Sequence, residues 1–393
     1  MVELRGTGPG QEGVVMTSKR TPAARQDDAG HGSLEVAVVG GGQAGLAIGY
    51  LLGRQGRSVA IFEAGPTVGS ASLGRWDSLV LFTPRRYDAL PGMPFPGDPD
   101  GYPSRDEVVT YLESYARRFS LPVVTGHSVR AIRAREGGGF VLGGDRGDVE
   151  AAQVVVATGP FQVPYTPPFA ADLSPEVVQM HSTGYRRPDD LPPGRVLVIG
   201  GGNTGFQIAK DLAPTRAVSI AIGSRQTPLP QRVLGRDLFW WLTRTGLLSK
   251  TVDSRVGRRA RGRDTLIGSS RREFGRLGVT VRPRAVRATG RSVLFADGAG
   301  ETPDAVVWAT GFRTDHSWID LPVLDDDGRV RHRRGVTDVP GLYLLGLSWQ
   351  HTRGSALLGF VEDDARFIAG RIDEHARTHS VAGARPAASQ TEV

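Results

Sequence analysis

The hexapeptide Gly40-Gly41-Gly42-Gln43-Ala44-Gly45 is a G-x-G-x-x-G directly after the short apolar run Leu34–Val39. Glycine at positions 40, 42 and 45 permits a tight turn, a close backbone approach to a pyrophosphate, and close packing of helix on strand. The pyrophosphate then meets a helix N-terminus, where free N–H groups and the helix dipole favour an anion. Eighteen residues past Gly45, Glu63 closes the next apolar run, a carboxylate placed to accept hydrogen bonds from ribose hydroxyls.

The pattern returns as Gly200-Gly201-Gly202-Asn203-Thr204-Gly205 after Arg195–Ile199. Here the same offset lands on Gly223, followed by Ser224 and Arg225. Losing the acid removes repulsion against a ribose 2′-phosphate, and arginine supplies a charge-assisted partner for it. Two such motifs predict two dinucleotide sites, FAD at the first and NADPH, in preference to NADH, at the second.

Two further segments repeat each other. Val154–Val156 runs into Ala157-Thr158-Gly159, and Ala305–Trp308 runs into Ala309-Thr310-Gly311. Each is a buried-strand pattern ending in Ala-Thr-Gly, the kind of strand that leads out of one nucleotide-binding unit toward the other. Strand patterns also cover 59–62, 218–222 and 342–345. Helical patterns follow Gly45 and Gly205 and cover 104–119 and 356 to about 374. Alternating strands and helices imply doubly wound parallel sheets. The expected fold is therefore α/β with two Rossmann-like dinucleotide-binding domains, the NADPH domain inserted into the FAD domain. The boundaries read as 34–190 and 305–378 for FAD and 191–304 for NADPH, with a helical insertion at about 229–276. Residues 1–33 (with an alternative start at Met16) and 379–393 read as disordered tails.

The chain has 393 residues and no cysteine, which excludes disulfides, thiolate metal sites and a Cys-x-x-Cys redox pair. No cluster suggests any other metal. A net charge of +7 invites a nucleic-acid reading. Lysine stands only at Lys19, Lys210 and Lys250, however, and the densest basic segment, Arg255 to Arg272, has no interleaved aromatics. A solvated helical face is the better reading, with no nucleic-acid partner. No run approaches the roughly 20 apolar residues of a membrane span, and no secretory leader is recognisable, so a cytoplasmic address is the expectation. Oligomeric state has no signature here; a homodimer is compatible with the sequence.

The order GGGQAG, Glu63, ATG, GGGNTG, ATG and Gly341-Leu342-Tyr343-Leu344-Leu345-Gly346 resembles the flavin-containing monooxygenases, CzcO-like and YUCCA-type flavoproteins in particular. Trp76-Asp77-Ser78-Leu79, Thr83-Pro84, Met93-Pro94-Phe95-Pro96 and Trp349 to Ser355 extend the resemblance over about 34–375. It implies that NADPH reduces FAD, that a C4a-(hydro)peroxyflavin forms with O2, and that one oxygen atom passes to a small organic substrate. It adds Ala64, Trp76, Val129 and Gly346 to the cofactor-binding positions, and His351 and Thr352 as candidate polar groups at the flavin. The family's F-x-G-x-x-x-H-x-x-x-(Y/F) fingerprint is half present: His181 and Tyr185 stand at the right spacing, while Pro175 and Val177 replace the Phe and Gly. An organising role fits His181 better than acid–base catalysis. The aromatics Phe239, Trp240 and Trp241 read either as a substrate-channel roof or as ordinary helix packing. An NADPH-dependent flavin reductase, oxidase or electron-transfer protein without oxygen insertion remains the competing chemistry, and a non-catalytic redox sensor a third.

Overall fold

The structure, a computed structural model, describes residues 34–224, 227–261, 265–269 and 271–383. Residues 1–33 and 384–393 of the expected tails lie outside these. Strand formation follows apolar content: Val36–Val39, Val154–Val156 and Val196–Ile199 are all buried and border parallel neighbours on both sides.

Among the described residues a ten-stranded sheet has Leu34–Val39 at its centre. Val59–Glu63 and Val123–Thr125 follow on one side; Val149–Val156 lies on the other and pairs in turn with Leu342–Leu344. These pairings are parallel, and an antiparallel meander of Val129–Ala134 and Phe140–Gly144 extends from Val149–Val156. The second sheet is wholly parallel and five-stranded, in the order Thr280–Arg282, Ala217–Ala221, Arg195–Ile199, Ala305–Trp308, Val178–His181. Each sheet thus has a glycine-motif strand flanked by its successor strand on one side and an Ala-Thr-Gly strand on the other. Between the sheets the chain crosses twice, as Val163–Pro164 and Phe312–Arg313 paired antiparallel.

The expected boundaries at 190/191 and 304/305 cut through this second sheet. Val178–His181 and Ala305–Trp308 both belong to it, although the sequence assigned them to the flanking segments. Backbone hydrogen-bonding groups are alike in every strand, so an apolar run does not reveal which sheet it joins.

Helix Gln43–Arg54 packs on the first sheet with helices Arg105–Arg118 and Glu362–Gly383, and their apolar faces form its largest core. Arg105–Arg118 starts at a capping box, with Glu107 N–H donating to Ser104 Oγ and Ser104 N–H to Glu107 Oε2. The last helix runs to Gly383, five residues into the expected tail, because no proline interrupts it before Pro386. It also starts later than expected, at Glu362, after two 3₁₀ turns. Gly359, in the second of these turns, packs closely on the chain at Tyr87: a Cβ there would lie 2.1 Å from the Tyr87 carbonyl oxygen.

The segment 229–276 is less helical than expected. Thr227–Leu229 pairs with Thr265–Ile267, and Arg232–Val233 with Arg236–Asp237. Only short helices remain, Leu238–Arg244, Arg255–Ala260 and Arg271–Arg276. Pro228, Pro230 and Gly235 break the helical pattern in its first third. No described helix is long and apolar enough to cross a membrane.

Candidate functional site

The two glycine motifs have the same local geometry. Gly40 (φ 116°) and Gly200 (φ 129°) turn the chain out of their strands in the left-handed region. A Cβ on Gly40 would lie 2.5 Å from the Ala157 carbonyl oxygen, and one on Gly200 2.1 Å from that of Ala309. Each first glycine is therefore pressed against the alanine of its own Ala-Thr-Gly segment. Gly45 and Gly205 stand over the carbonyls of Gly40 and Gly200, at 1.8 and 2.0 Å for a built Cβ. Packing inside the protein demands these four glycines.

Gly42 and Gly202 differ, since a Cβ at either would touch nothing within 4 Å. No protein neighbour requires glycine there, which fits a group from outside approaching the backbone. The helices Gln43–Arg54 and Asn203–Leu212 begin at these residues with no side-chain cap and no acid in the first turn. Their leading N–H groups are left for an anion. Both cradles fit a dinucleotide's diphosphate.

Other predicted residues assemble around the first cradle. Glu63 sits at its lip, Oε2 accepting from Gly41 N–H and Oε1 from Gly65 N–H, both at 2.8 Å. Ala64 is exposed beside it. His127 N–H bonds the Glu63 carbonyl, which brings the half-buried Val129 nearby. Gly346 (φ 83°) packs against Ala44, and Gln43 Nε2 donates to the Ala356 carbonyl at 2.7 Å. Thr158 Oγ1 and the Gly159 carbonyl both accept from Gln162 Nε2 at 3.0 Å, a residue that carried no sequence signal.

At the second cradle Asn203 faces the insertion: its Nδ2 donates to the Thr265 carbonyl and its Oδ1 accepts from Ile267 N–H. Thr204 stands in the helix's first turn. Arg284 donates twice to the Gly223 carbonyl, so an arginine unmarked by any motif fixes the turn before Ser224. Ser224 is exposed, and Arg225 lies outside the described residues. Thr310 Oγ1 bonds the Tyr165 carbonyl, bracing the double crossing. His181 has both ring nitrogens engaged, Nδ1 with Thr183 and Nε2 with the Gly311 carbonyl at 3.1 Å. Burial lowers its pKa. Those bonds make His181 a brace for the second Ala-Thr-Gly turn. Tyr185 is buried and donates to Asp211 Oδ2 at 2.6 Å.

Three predicted residues stand apart from the cradles. The Trp76 ring is buried in the second sheet's core with Tyr185 and Phe206, its indole N–H without a partner. His351 and Thr352 lie on a loop bonded to Thr251 and Val252 of the insertion. Thr352 Oγ1 accepts from Gly354 N–H as a cap, and burial lowers the His351 pKa.

An aromatic cluster joins three distant segments here. Phe239 is buried against Phe82, Tyr87 and Phe360, while Trp240 and Trp241 stack edge-on outside it. Next to Tyr87 in the chain, Asp88 is fully buried, with Oδ1 accepting from Thr83 Oγ1 at 2.6 Å and Oδ2 without a partner. Burial pushes its pKa up to about 7, against the opposing pull of the Thr83 bond and Arg85.

A pair of glycine-cornered cradles on two linked sheets defines an oxidoreductase scaffold for two dinucleotides. Residues 37–233 match the pyridine nucleotide-disulphide oxidoreductase family. A CzcO-like oxidoreductase of Geobacillus kaustophilus is 42% identical over 345 residues, covering 87% of this chain and 99% of that protein. The indole-3-pyruvate monooxygenase YUCCA4 of Oryza sativa is 30% identical, with 81% and 84% covered. A solved flavin-containing monooxygenase from Stenotrophomonas maltophilia superposes with a TM-score of 0.74 at 30% identity, over 88% of this chain and 99% of that one. The chain belongs to the flavin-containing monooxygenases of the pyridine nucleotide-disulphide oxidoreductase family.

Proposed function

We propose that the first cradle holds FAD and the second NADPH, on a nicotinamide-binding unit inserted into a flavin-binding one. As a member of its family the chain is an FAD- and NADPH-dependent monooxygenase acting on a small organic molecule and O2. The duplicated cradle carries this reading, because it provides two diphosphate sites of one design on linked sheets. FAD, when bound, supplies the hydride acceptance and oxygen activation. With no cysteine in the chain, no protein dithiol competes for the electrons.

The protein's own residues bind, orient and exclude water. Glu63 receives the FAD ribose at the lip of the first cradle. Ser224 and Arg225 take the 2′-phosphate, after a turn that Arg284 fixes. His181 acts through Gly311 as a positioning residue between the two units. Gln43 ties the 353–356 segment to the first cradle, which supports placing His351 and Thr352 beside the flavin. Phe82, Tyr87, Phe239 and Phe360 keep water from the Thr83–Asp88 pair, where Asp88 retains a proton up to about pH 7.

Anaerobic reduction of the flavoprotein with NADPH, followed by mixing with oxygen in a stopped-flow instrument, tests the reading. The expected result is a transient absorbance, distinct from oxidised flavin, whose lifetime depends on bound NADP+. Immediate return to oxidised flavin with stoichiometric peroxide, whatever substrate is offered, would establish the reductase or oxidase chemistry instead.

A further inference from the structure

A cavity of about 1020 Å³ opens beside the loop 347–351, and no glycine of either cradle lines it. Its walls come from the hairpin 329–338, from Val252 and Asp253 of the insertion, and from Phe367 and Arg371 of the last helix. Arg329, Arg331, Arg333 and Arg371 face it, with Arg261 and Arg334 at its sides, against only three carboxylates, Asp253, Asp325 and Asp338. We propose that this basic cleft binds a small organic anion carrying two or more negative charges, as carboxylate or phosphate.

Four observations support a ligand site over a chance gathering of surface arginines. First, the backbone is strained here: Trp349 (φ 56°), one of four non-glycine residues with left-handed backbone among the described residues, stands in the walls outside any hairpin turn, whereas Arg334 (φ 52°) belongs to the two-residue turn Arg334-Gly335. Such conformations persist only where surrounding structure imposes them, and they gather at binding sites. Arg334 is held there by Asp364, at 2.9 Å, and by the Phe367 ring, 4.4 Å from its guanidinium.

Second, Arg333 has no carboxylate partner among the described residues, while the pairs Arg331–Asp338 at 3.4 Å and Arg329–Asp327 at 3.7 Å are exposed and weak in water. Arg329 and Arg333 are free to turn to a stronger partner, while Arg331 also donates to the Pro322 carbonyl at 2.9 Å. Third, His316, only 3% exposed, lines the cleft with its Nδ1 buried and unpartnered. Fourth, His332 Nδ1 accepts from Gly335 N–H, so in the neutral ring the proton sits on Nε2, a donor with no acceptor among the described residues. Burial, with Arg261 adding to it, lowers the His332 pKa and keeps that ring a neutral donor. Arginine forks and N–H donors around a cavity of this size recognise multivalent oxyanions.

Isothermal titration of the FAD-loaded protein, without NADPH, tests this with citrate as the carboxylate probe and inorganic phosphate as the phosphate probe. Sodium chloride at matched ionic strength is the control. At least one probe is expected to bind with a sub-millimolar dissociation constant, and the stronger of the two names the oxyanion class. Arg333→Glu, checked for unchanged flavin content, is expected to weaken that binding at least tenfold, with Arg333→Gln in between. Arg117→Glu, on a distant helix face, should leave it unchanged. Heats no larger than those of chloride, or equal affinity in Arg333→Glu, would overturn the proposal. So would complete competition by NADP+, which would assign the cleft to the nicotinamide cofactor.

Discussion

Replacing Asp88 with asparagine isolates the cost of burying that carboxyl. The group is inaccessible to solvent, has one hydrogen bond, from Thr83, and its pKa rises from the ordinary 3.8 to about 7, mainly through burial. Between those values the folded protein keeps a proton that the unfolded chain has released. The neutral carboxyl's contribution to stability is therefore complete below about pH 4 and is lost as pH climbs to about 7. The slope in that window is about 1.4 kcal/mol per pH unit. Relative to Asp88→Asn, the wild type is expected to lose about 2 kcal/mol between pH 5 and pH 7. Asparagine keeps an oxygen for Thr83 but leaves a buried amide N–H₂, a penalty of about 1–3 kcal/mol that is the same at every pH. The slope of the difference, and not its size at one pH, is thus the quantity to read. Urea unfolding of both proteins at equal FAD saturation, followed by far-ultraviolet circular dichroism at pH 5, 6, 7 and 8, measures it. Parallel stability curves across that range would refute the reasoning and show that Asp88 is ionised in the folded protein throughout.

The cradles make four further predictions. Gly40→Ala places a Cβ 2.5 Å from the Ala157 oxygen at a φ of 116°, and should cost more than about 2 kcal/mol in a thermal melt of the apoprotein. Gly42→Ala meets no protein atom, so the apoprotein should melt as wild type while FAD affinity, measured by reconstitution, falls at least about tenfold. Glu63→Gln, which keeps the bond from one backbone N–H but loses the charge, should weaken FAD binding by about tenfold, read by the same reconstitution. Arg225→Ala should lower the kcat/KM preference for NADPH over NADH by about 10- to 100-fold, the value of one charge-assisted contact, in steady-state assays with both nucleotides.

Both cradles were legible in the sequence because their constraints are local. A left-handed turn pressed against a neighbouring carbonyl admits only glycine, and an apolar run before it must be buried, so G-x-G-x-x-G and Ala-Thr-Gly announce themselves. The acid at Glu63 and its loss at Gly223 were readable for the same reason: both are fixed by distance along the chain. Tertiary structure alone decided that Ala305–Trp308 pairs with Arg195–Ile199 on one side and with Val178–His181 on the other, since any buried strand offers the same hydrogen-bonding edges. It alone brought Gln162 to Thr158, Arg284 to Gly223, and Phe82, Phe239 and Phe360 into one cluster. Nothing in the residues near Asp88 marks its carboxyl as buried. Its burial is a property of the folded chain, in which Phe239 and Phe360 arrive from more than a hundred positions away to pack on the neighbouring Tyr87.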